Sequence, residues 1–219
     1  MTGFLLINKP TGITSHDVVD QVRKITGQRK VGHAGTLDPF ATGLLIVAVG
    51  RESTKKLSKL VGLDKEYEAV FVLGARSETD DPEGPIVENS DAREPSRSEV
   101  ETAMKKFIGQ IEQIPPKYAA IKVKGKKLYE AARAGEEIER KPRQVRIDEY
   151  ELLDLANNKL TVRIKCGSGT YIRALARDLG EELGIGAYVE KLHRTQIGPH
   201  RVEEATPLDQ TNVENIKEL

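Results

Sequence analysis

Hydrophobic positions repeat along the chain with two spacings, every second residue in some stretches and every third or fourth in others. Residues 4–9 are a short apolar run that reads as a strand, closed by Pro10 and Gly12. Thr14 and Ser15 supply a helix N-cap, and Val18, Val19, Val22 and Ile25 recur at helical spacing until Gly27 ends the helix. Residues 44–49 form the longest apolar stretch and predict a central strand, far too short to cross a bilayer. Leu57, Leu60 and Val61 mark one face of a short helix, and Tyr67, Ala69, Phe71 and Leu73 one side of a strand. Residues 76–95, rich in Asp, Glu, Pro and Gly, predict a surface loop. Ser98 and Glu101 have capping-box spacing at the head of a helix with Val100, Ala103, Met104, Phe107 and Ile108. The pattern weakens over 114–143, with Pro115-Pro116, a Lys-rich turn at Gly125 and a short Ala-rich helix. Strands follow at 145–153 and 160–166, then a Gly167-Ser168-Gly169 turn. A helix carries Ile172, Leu175, Ala176, Leu179 and Leu183 and is closed by Gly184; a strand at 188–195 precedes an acidic tail. Helices and strands mix without strict βαβ alternation, which predicts an α+β fold with a largely antiparallel sheet. The 219 residues read as one domain without internal repeats.

Composition narrows the function. A hydrophobic share of 38% with 31% charged residues excludes both a disordered chain and a membrane protein. No basic region precedes the apolar residues 4–7, so nothing resembles a secretory signal and a cytoplasmic location is expected. The single cysteine, Cys166, excludes an internal disulfide and leaves too few thiols for a zinc site of the usual spacing, so no metal is expected. The net charge is zero but unevenly spread. Residues 115–146 hold ten Lys or Arg against four Glu, and residues 76–101 hold three basic against nine acidic residues. Such a chain can turn a cationic face to a phosphate backbone; solvated surface explains the same runs.

Residues 30–44, KVGHAGTLDPFATGL, crowd three glycines, a histidine, an aspartate and a proline into a loop that feeds the most hydrophobic strand. A loop on so rigid a support is where a reactive group is held in place. Pro39 pushes Asp38 away from helical backbone angles, so its carboxylate sits in extended chain. On residue chemistry alone Asp38 is a turn former or a catalyst, and His33 a capping residue or a site residue.

The run from Gly35 through Leu37-Asp38-Pro39 and Ala41-Thr42-Gly43 to Leu45 closely resembles the signature of the TruB family of pseudouridine synthases. Asn8-Lys9-Pro10, Gly12 and Thr14-Ser15 resemble the family's opening motif, Lys65 and Tyr67 its second, and Gly169-Thr170-Tyr171-Ile172-Arg173 its third. Gln113, Pro115-Pro116, Tyr118 and Ala120, with Gly125 and Lys127-Leu128-Tyr129, resemble the basic thumb insertion that grips the T-arm of tRNA, here at about 113–143. Leu192, Arg194 and Thr195 complete the series.

The resemblance implies a pseudouridine synthase fold, a mixed and mostly antiparallel sheet flanked by helices and loops, in one catalytic domain. It implies isomerisation of the T-loop uridine at tRNA position 55, without cofactor or metal. Asp38 becomes the nucleophile at ribose C1′ or the base at C2′, and Arg173 the ion-pair partner that keeps it ionised. Tyr67 stacks on the flipped uracil and serves in proton removal from C5; its alternative is a core-edge aromatic, as that of Arg173 is a surface residue on an amphipathic helix. Tyr171 and Leu192 line the same pocket. His33 fills the space the extruded base leaves in the T-loop. Lys9, Lys30, Lys122, Lys124, Lys126 and Lys127 are candidate phosphate contacts. A monomer acting on tRNA without an obligatory protein partner or a membrane is expected.

The chain departs from the family in two places. Its C-terminus follows closely on the last core motif, where most members continue into an RNA-binding PUA module, so that module is expected to be absent. His193 stands where the family often has arginine. Three other readings compete: a guide-RNA-dependent synthase, a non-catalytic RNA-folding module, and a glycoside hydrolase using Asp38. The first needs the PUA module, the second does not need Asp38, Tyr67 and Arg173 together, and the third needs a second carboxylate of comparable context.

Overall fold

The computed structural model describes residues 1–119, 122–123, 126–127 and 139–219, with the backbone alone at 122–123 and 126–127. The chain forms two compact units, 1–68 with 191–219, and 69–190. Two strands, β4 (Lys65–Leu73) and β12 (Ala187–Ile197), start in one unit and finish in the other.

In the first unit β1 (Gly3–Lys9) leads to α1 (Ser15–Thr26), β2 (Val31–His33), β3 (Thr42–Val49), α2 (Arg51–Lys55) and α3 (Leu57–Val61). Strand β3 pairs antiparallel with β1 from Gly43 opposite Lys9 to Val49 opposite Gly3. Its other edge is shared: β2 takes Val47–Val49 antiparallel, and β12 takes Thr42 and Gly43 in parallel. Beyond β12 come β13 (His200–Arg201), paired with it, and β14 (Thr206–Pro207), which lies parallel on β1. Phe4 and Lys217 exchange backbone hydrogen bonds of 2.7 and 2.8 Å, so the acidic tail continues the pairing.

The unbroken apolar run at 44–49 has a plain cause, because β3 is buried on both faces. Leu45, Val47 and Val49 pack with Leu5, Ile7 and the α1 residues Val18, Val19 and Val22. Leu44, Ile46 and Ala48 pack on the other side with Phe4, Leu6 and Ile197, against Leu57, Leu60 and Leu63. Helix α1 has Thr14 as N-cap, in a capping box with Asp17, and ends at Gly27 with φ 65°.

The second unit orders its strands β4-β11-β10-β7. Here β10 (Arg143–Ala156) pairs antiparallel with β7 (Gly109–Gln113) and with β11 (Lys159–Cys166). Asn157 and Asn158 turn the β10–β11 hairpin, both at positive φ, where asparagine is tolerated. Leu160, Val162, Ile164 and Cys166 are buried, as their alternation predicts. The unit also contains β5 (Ala75–Ser77) paired with β6 (Ile86–Glu88), α4 (Arg97–Lys105), the two-residue strands β8 (Lys122–Val123) and β9 (Lys126–Lys127), and α5 (Ile172–Glu182). The fold is α+β with a mixed sheet: β1–β14 and β3–β12 pair in parallel, while β1–β3, β2–β3, β7–β10, β10–β11 and β12–β13 pair antiparallel. Among the described residues no helix is long and apolar enough to cross a membrane.

Two expectations need correction. Helix α4 is capped by Ser96 with Glu99, two residues ahead of the predicted pair; both pairs have the same spacing, and Arg93 also binds Glu99 and favours the earlier one. Residues 76–95 are not all surface loop. They include β5 and β6, and Ser77, Asp80 and Asp81 are buried because arginines of α5 meet the two carboxylates. The expected thumb insertion falls largely outside the described residues. So do Lys124 and the side chains of Lys122, Lys126 and Lys127.

Candidate active site

Asp38 lies in the loop between β2 and β3, half-buried, and the peptides around it are fixed by side chains from the opening motif. The Ser15 hydroxyl, buried at the start of α1, accepts from the Leu37 N–H at 2.8 Å and donates to the Leu37 carbonyl at 3.1 Å. On the other side of Asp38, the Pro39 carbonyl accepts from the Gly12 N–H at 2.8 Å and from Lys9 Nζ at 3.2 Å. The Thr11 hydroxyl donates to the Phe40 carbonyl at 3.0 Å, and the Ala41 N–H to the Asp38 carbonyl at 3.1 Å. Leu37 and Ala41 are buried anchors. Hydrogen bonds to both flanking residues set the backbone from which the Asp38 side chain projects.

Lys9 therefore has a role the sequence does not announce. Its side chain is 0% exposed, and Nζ also donates to the carbonyls of Pro10 at 2.9 Å and Ile13 at 2.7 Å. The expectation of a phosphate contact is corrected for this residue: a fully buried ammonium bonded to three carbonyls does not reach RNA. Lys30 is exposed, at the approach to β2, and keeps that expectation as a proposal.

Arg194 on β12 closes the far end of the same loop. It is 1% exposed; Nε donates to Leu44 O at 2.7 Å and a terminal nitrogen to Gly35 O at 3.1 Å. Gly43, at φ 103°, has no Cβ because one would run into the Arg194 backbone. Leu192 is buried two residues earlier, and its carbonyl accepts from the Thr42 hydroxyl at 3.5 Å. His193 Nδ1 lies 2.8 Å from that hydroxyl. His33, at the end of β2, is half-buried, with its Nδ1 shielded from solvent. Burial first, then the charges of Arg194 and His16, hold its pKa below the usual histidine value. Tyr67 is buried on β4, on the strand face shared with Lys65, whose Nζ donates to the Leu63 carbonyl at 2.6 Å and to that of Val61 at the end of α3.

In the second unit Arg173 is 4% exposed near the start of α5. One terminal nitrogen meets Asp81 Oδ2 at 2.9 Å and the Thr79 carbonyl at 3.1 Å; the other donates to the Tyr118 carbonyl at 3.3 Å. One turn on, Arg177 meets Asp80 at 3.0 Å and Asp178 at 2.7 Å, and donates to the Ile114 carbonyl at 2.9 Å. Burial raises the Asp80 pKa against the pull of Arg177 and Arg173. Tyr171 is the N-cap of α5, half-buried, with its backbone bonded to the Gln113 side chain.

The structure thus places Lys9, Lys30, His33, Asp38, Tyr67 and Leu192 in the first unit, with Tyr171 and Arg173 in the second. Ser15, Gln113 and Arg194 stand in the quoted motifs, but the sequence does not announce the bonds they make, and it gives no sign of Asp81 as the partner of Arg173. Two signals were available for them. Thr14 and Ser15 offer two hydroxyls where a helix start needs one, and α5 carries arginines at i and i+4 on a helix otherwise rich in buried apolar residues.

A family model described as TruB family pseudouridylate synthase, N-terminal domain, matches residues 23–172. One described as tRNA pseudouridylate synthase B C-terminal domain matches 173–217. A tRNA pseudouridine synthase B from Thermobifida fusca is 44% identical over 97% of this chain and 75% of its own, and one from a Mycobacterium species 46% identical over 94% and 71%. Among solved structures, a Cbf5-Nop10-Gar1 complex matches with TM-score 0.74 at 30% identity, covering 94% of this chain and 52% of that one. An H/ACA ribonucleoprotein bound to a substrate RNA containing 2′-deoxyuridine matches with TM-score 0.71 at 28% identity, covering 94% and 51%, so this chain spans about half of each solved chain. With both family models matched in order across 23–217 and close relatives aligned over nearly its whole length, the chain belongs to the TruB family of pseudouridylate synthases, isomerases that turn uridine in tRNA into pseudouridine.

Proposed function

We propose that the chain isomerises the T-loop uridine at tRNA position 55, with Asp38 as the reacting carboxylate. The observation that carries this reading is the fixing of the residues on either side of Asp38 by buried side chains from the motif that opens the chain. Isomerisation breaks the bond from C1′ to N1, turns the uracil and rejoins it to C1′ through C5; a proton leaves C5 and one is gained at N1. Asp38 starts the sequence by attacking C1′ or by taking the C2′ proton. Redox chemistry plays no part, and neither metal nor cofactor is invoked.

Tyr67 is proposed to stack on the extruded uracil and to assist removal of the C5 proton, and Leu192 to line its pocket. His33 is the proposed wedge that fills the space left in the T-loop; its lowered pKa keeps the ring neutral and suits it to stacking. From the second unit Arg173 is proposed to favour the ionised form of Asp38, and Tyr171 to contact the base. Lys30 and Lys127 are proposed phosphate contacts. The proposed working form is a cytoplasmic monomer needing no protein partner; relatives that share 44–46% identity over nearly the whole chain are themselves named as tRNA enzymes.

A T-arm stem-loop carrying tritium at uracil C5 tests the reading, because rejoining at C5 expels the label. The wild-type chain releases tritium and Asp38→Asn does not. Release by the variant at the wild-type rate would remove Asp38 from the mechanism.

A further inference from the structure

Gln113 is the last residue of β7 and is 1% exposed. Its Nε2 donates to the Tyr171 carbonyl at 3.0 Å, and its Oε1 accepts from the Tyr171 N–H at 2.8 Å. This is the two-bond pattern of a hydrogen-bonded pair in antiparallel strands, made here by a side chain on one residue's backbone. Only a carboxamide both donates and accepts with this reach; an ionised glutamate only accepts, and a methionine does neither usefully.

We infer that Gln113 is a positioning residue for the reaction, fixing the backbone of Tyr171 and with it the first turn of the helix that carries Arg173. The inference rests on the proposed roles of those two residues. Three observations carry it. First, Gln113 stands at the neck of the insertion, since its backbone is the β-partner of Arg143, so the segment leaves and returns at one rung of the sheet. Second, Tyr171 has no side-chain cap for α5, and its carbonyl already accepts the first helical bond, from the Leu175 N–H at 3.1 Å. Gln113 fixes both backbone polar groups of that residue, and with them the origin of the helix turn that carries Arg173. Third, the residues after Gln113 bond to the same helix through their carbonyls. Ile114 O accepts from Arg177 and Tyr118 O from Arg173, while Pro115 O accepts from Arg140 at 2.9 Å on the returning side. Pro115 and Pro116 have no N–H to give, so this stretch is held through its acceptors. The Tyr171 backbone and the bonds of Arg173 and Arg177 are thus anchored on one short stretch, residues 113–118.

The test uses the full chain with Gln113→Met and Gln113→Glu, the tritiated T-arm stem-loop, single-turnover rates at saturating RNA, RNA affinity by filter binding, and thermal melting. Gln113→Met is expected to slow the single turnover about 10- to 100-fold, in the range that small misplacements of reacting groups produce. Its Kd for RNA is expected to stay within about threefold of wild type, because Gln113 is 1% exposed and gives its side chain to Tyr171. Gln113→Glu keeps one of the two bonds and falls between, and it alone decides the matter if the methionine variant does not fold. Rates within twofold of wild type would overturn the inference. So would a loss confined to Kd, or a rate that returns to the wild-type value once the temperature is lowered enough for the variant to be fully folded. Wild-type protein that releases no tritium sinks the proposed activity instead, so the two failures are told apart.

Discussion

Ser15→Ala removes one oxygen atom from a buried position and unties the residue before Asp38. In the native chain that hydroxyl takes the Leu37 N–H at 2.8 Å and gives its own hydrogen to the Leu37 carbonyl at 3.1 Å. Orphaning a buried N–H costs about 1–3 kcal/mol, and loss of the hydroxyl-to-carbonyl bond adds about 0.5–1.5 kcal/mol, so the expected destabilisation is about 1.5–4.5 kcal/mol. At a urea dependence of about 2 kcal/mol per molar, the unfolding midpoint falls by about 1–2 M. Turnover falls further than stability alone explains. A carboxylate displaced by about 1 Å from its reacting atom loses on the order of 100-fold in rate. The comparison is Thr14→Ala, which removes the exposed N-cap of the same helix. Its side chain accepts from the Asp17 N–H at 3.1 Å, and its loss costs about 1 kcal/mol. Urea melts followed by circular dichroism give the stability of both variants, and tritium release gives the rate. A Ser15→Ala protein that melts and turns over like Thr14→Ala would refute the idea that this hydroxyl fixes the catalytic loop rather than the helix.

Two further outcomes follow from buried charge. Asp81→Asn removes the anionic partner that Arg173 meets at 2.9 Å, with both side chains at most 5% exposed; loss of this charge-assisted bond is expected to cost about 1.5–3 kcal/mol in urea unfolding and to slow tritium release, and an unchanged midpoint would contradict it. His33 has a folded pKa below the value of 6.5 for free histidine, so the unfolded chain binds its proton first as pH falls. Its contribution is complete above about pH 6.5 and is lost as pH drops towards the folded pKa. His33→Gln should flatten the pH dependence of stability in that window, and parallel curves for the two proteins would contradict the assignment.

The strands and helices were legible because each carries one period along its whole length. Leu160 to Cys166 alternates cleanly, and the doubly buried β3 shows itself as a run without polar residues. Ser96 and Ser98 were not separable by spacing, since each stands three residues before a glutamate; Arg93, six residues from Glu99, favours the first. The acidic residues at 78–83 carry no sign of their fate. Asp80 and Asp81 are buried only because α5, some ninety residues away, brings Arg173 and Arg177 to them, and composition cannot see contacts at that distance. Asp38 stood out through its glycine-rich context, yet the residues that hold it were read as punctuation. Pro10 and Gly12 looked like a turn and Lys9 like a surface charge, because no local pattern distinguishes a lysine that meets phosphate from one that satisfies three carbonyls.

The same distinction explains why the loop is held by cations at all. A loop from β2 to β3 that keeps Asp38 extended satisfies the Asp38 carbonyl from its own Ala41 N–H but leaves those of Gly35, Pro39 and Leu44 to outside donors, and burying them without donors is costly. Lys9 gives one donor to the Pro39 carbonyl of this loop and two to the carbonyls of Pro10 and Ile13 in the preceding turn, so it ties the two segments together. Arg194 does what a lysine cannot: its planar fork spans Gly35 and Leu44, joining the two ends of the loop through one side chain. Gly43 lets β12 approach closely enough for that span, which ties a residue with no side chain to the placement of the Asp38 loop. If Asp38 is the reacting carboxylate as proposed, a substitution at Lys9, Gly43 or Arg194 is expected to act on the rate through where the Asp38 loop stands, because all three are buried and bonded to or packed against its backbone.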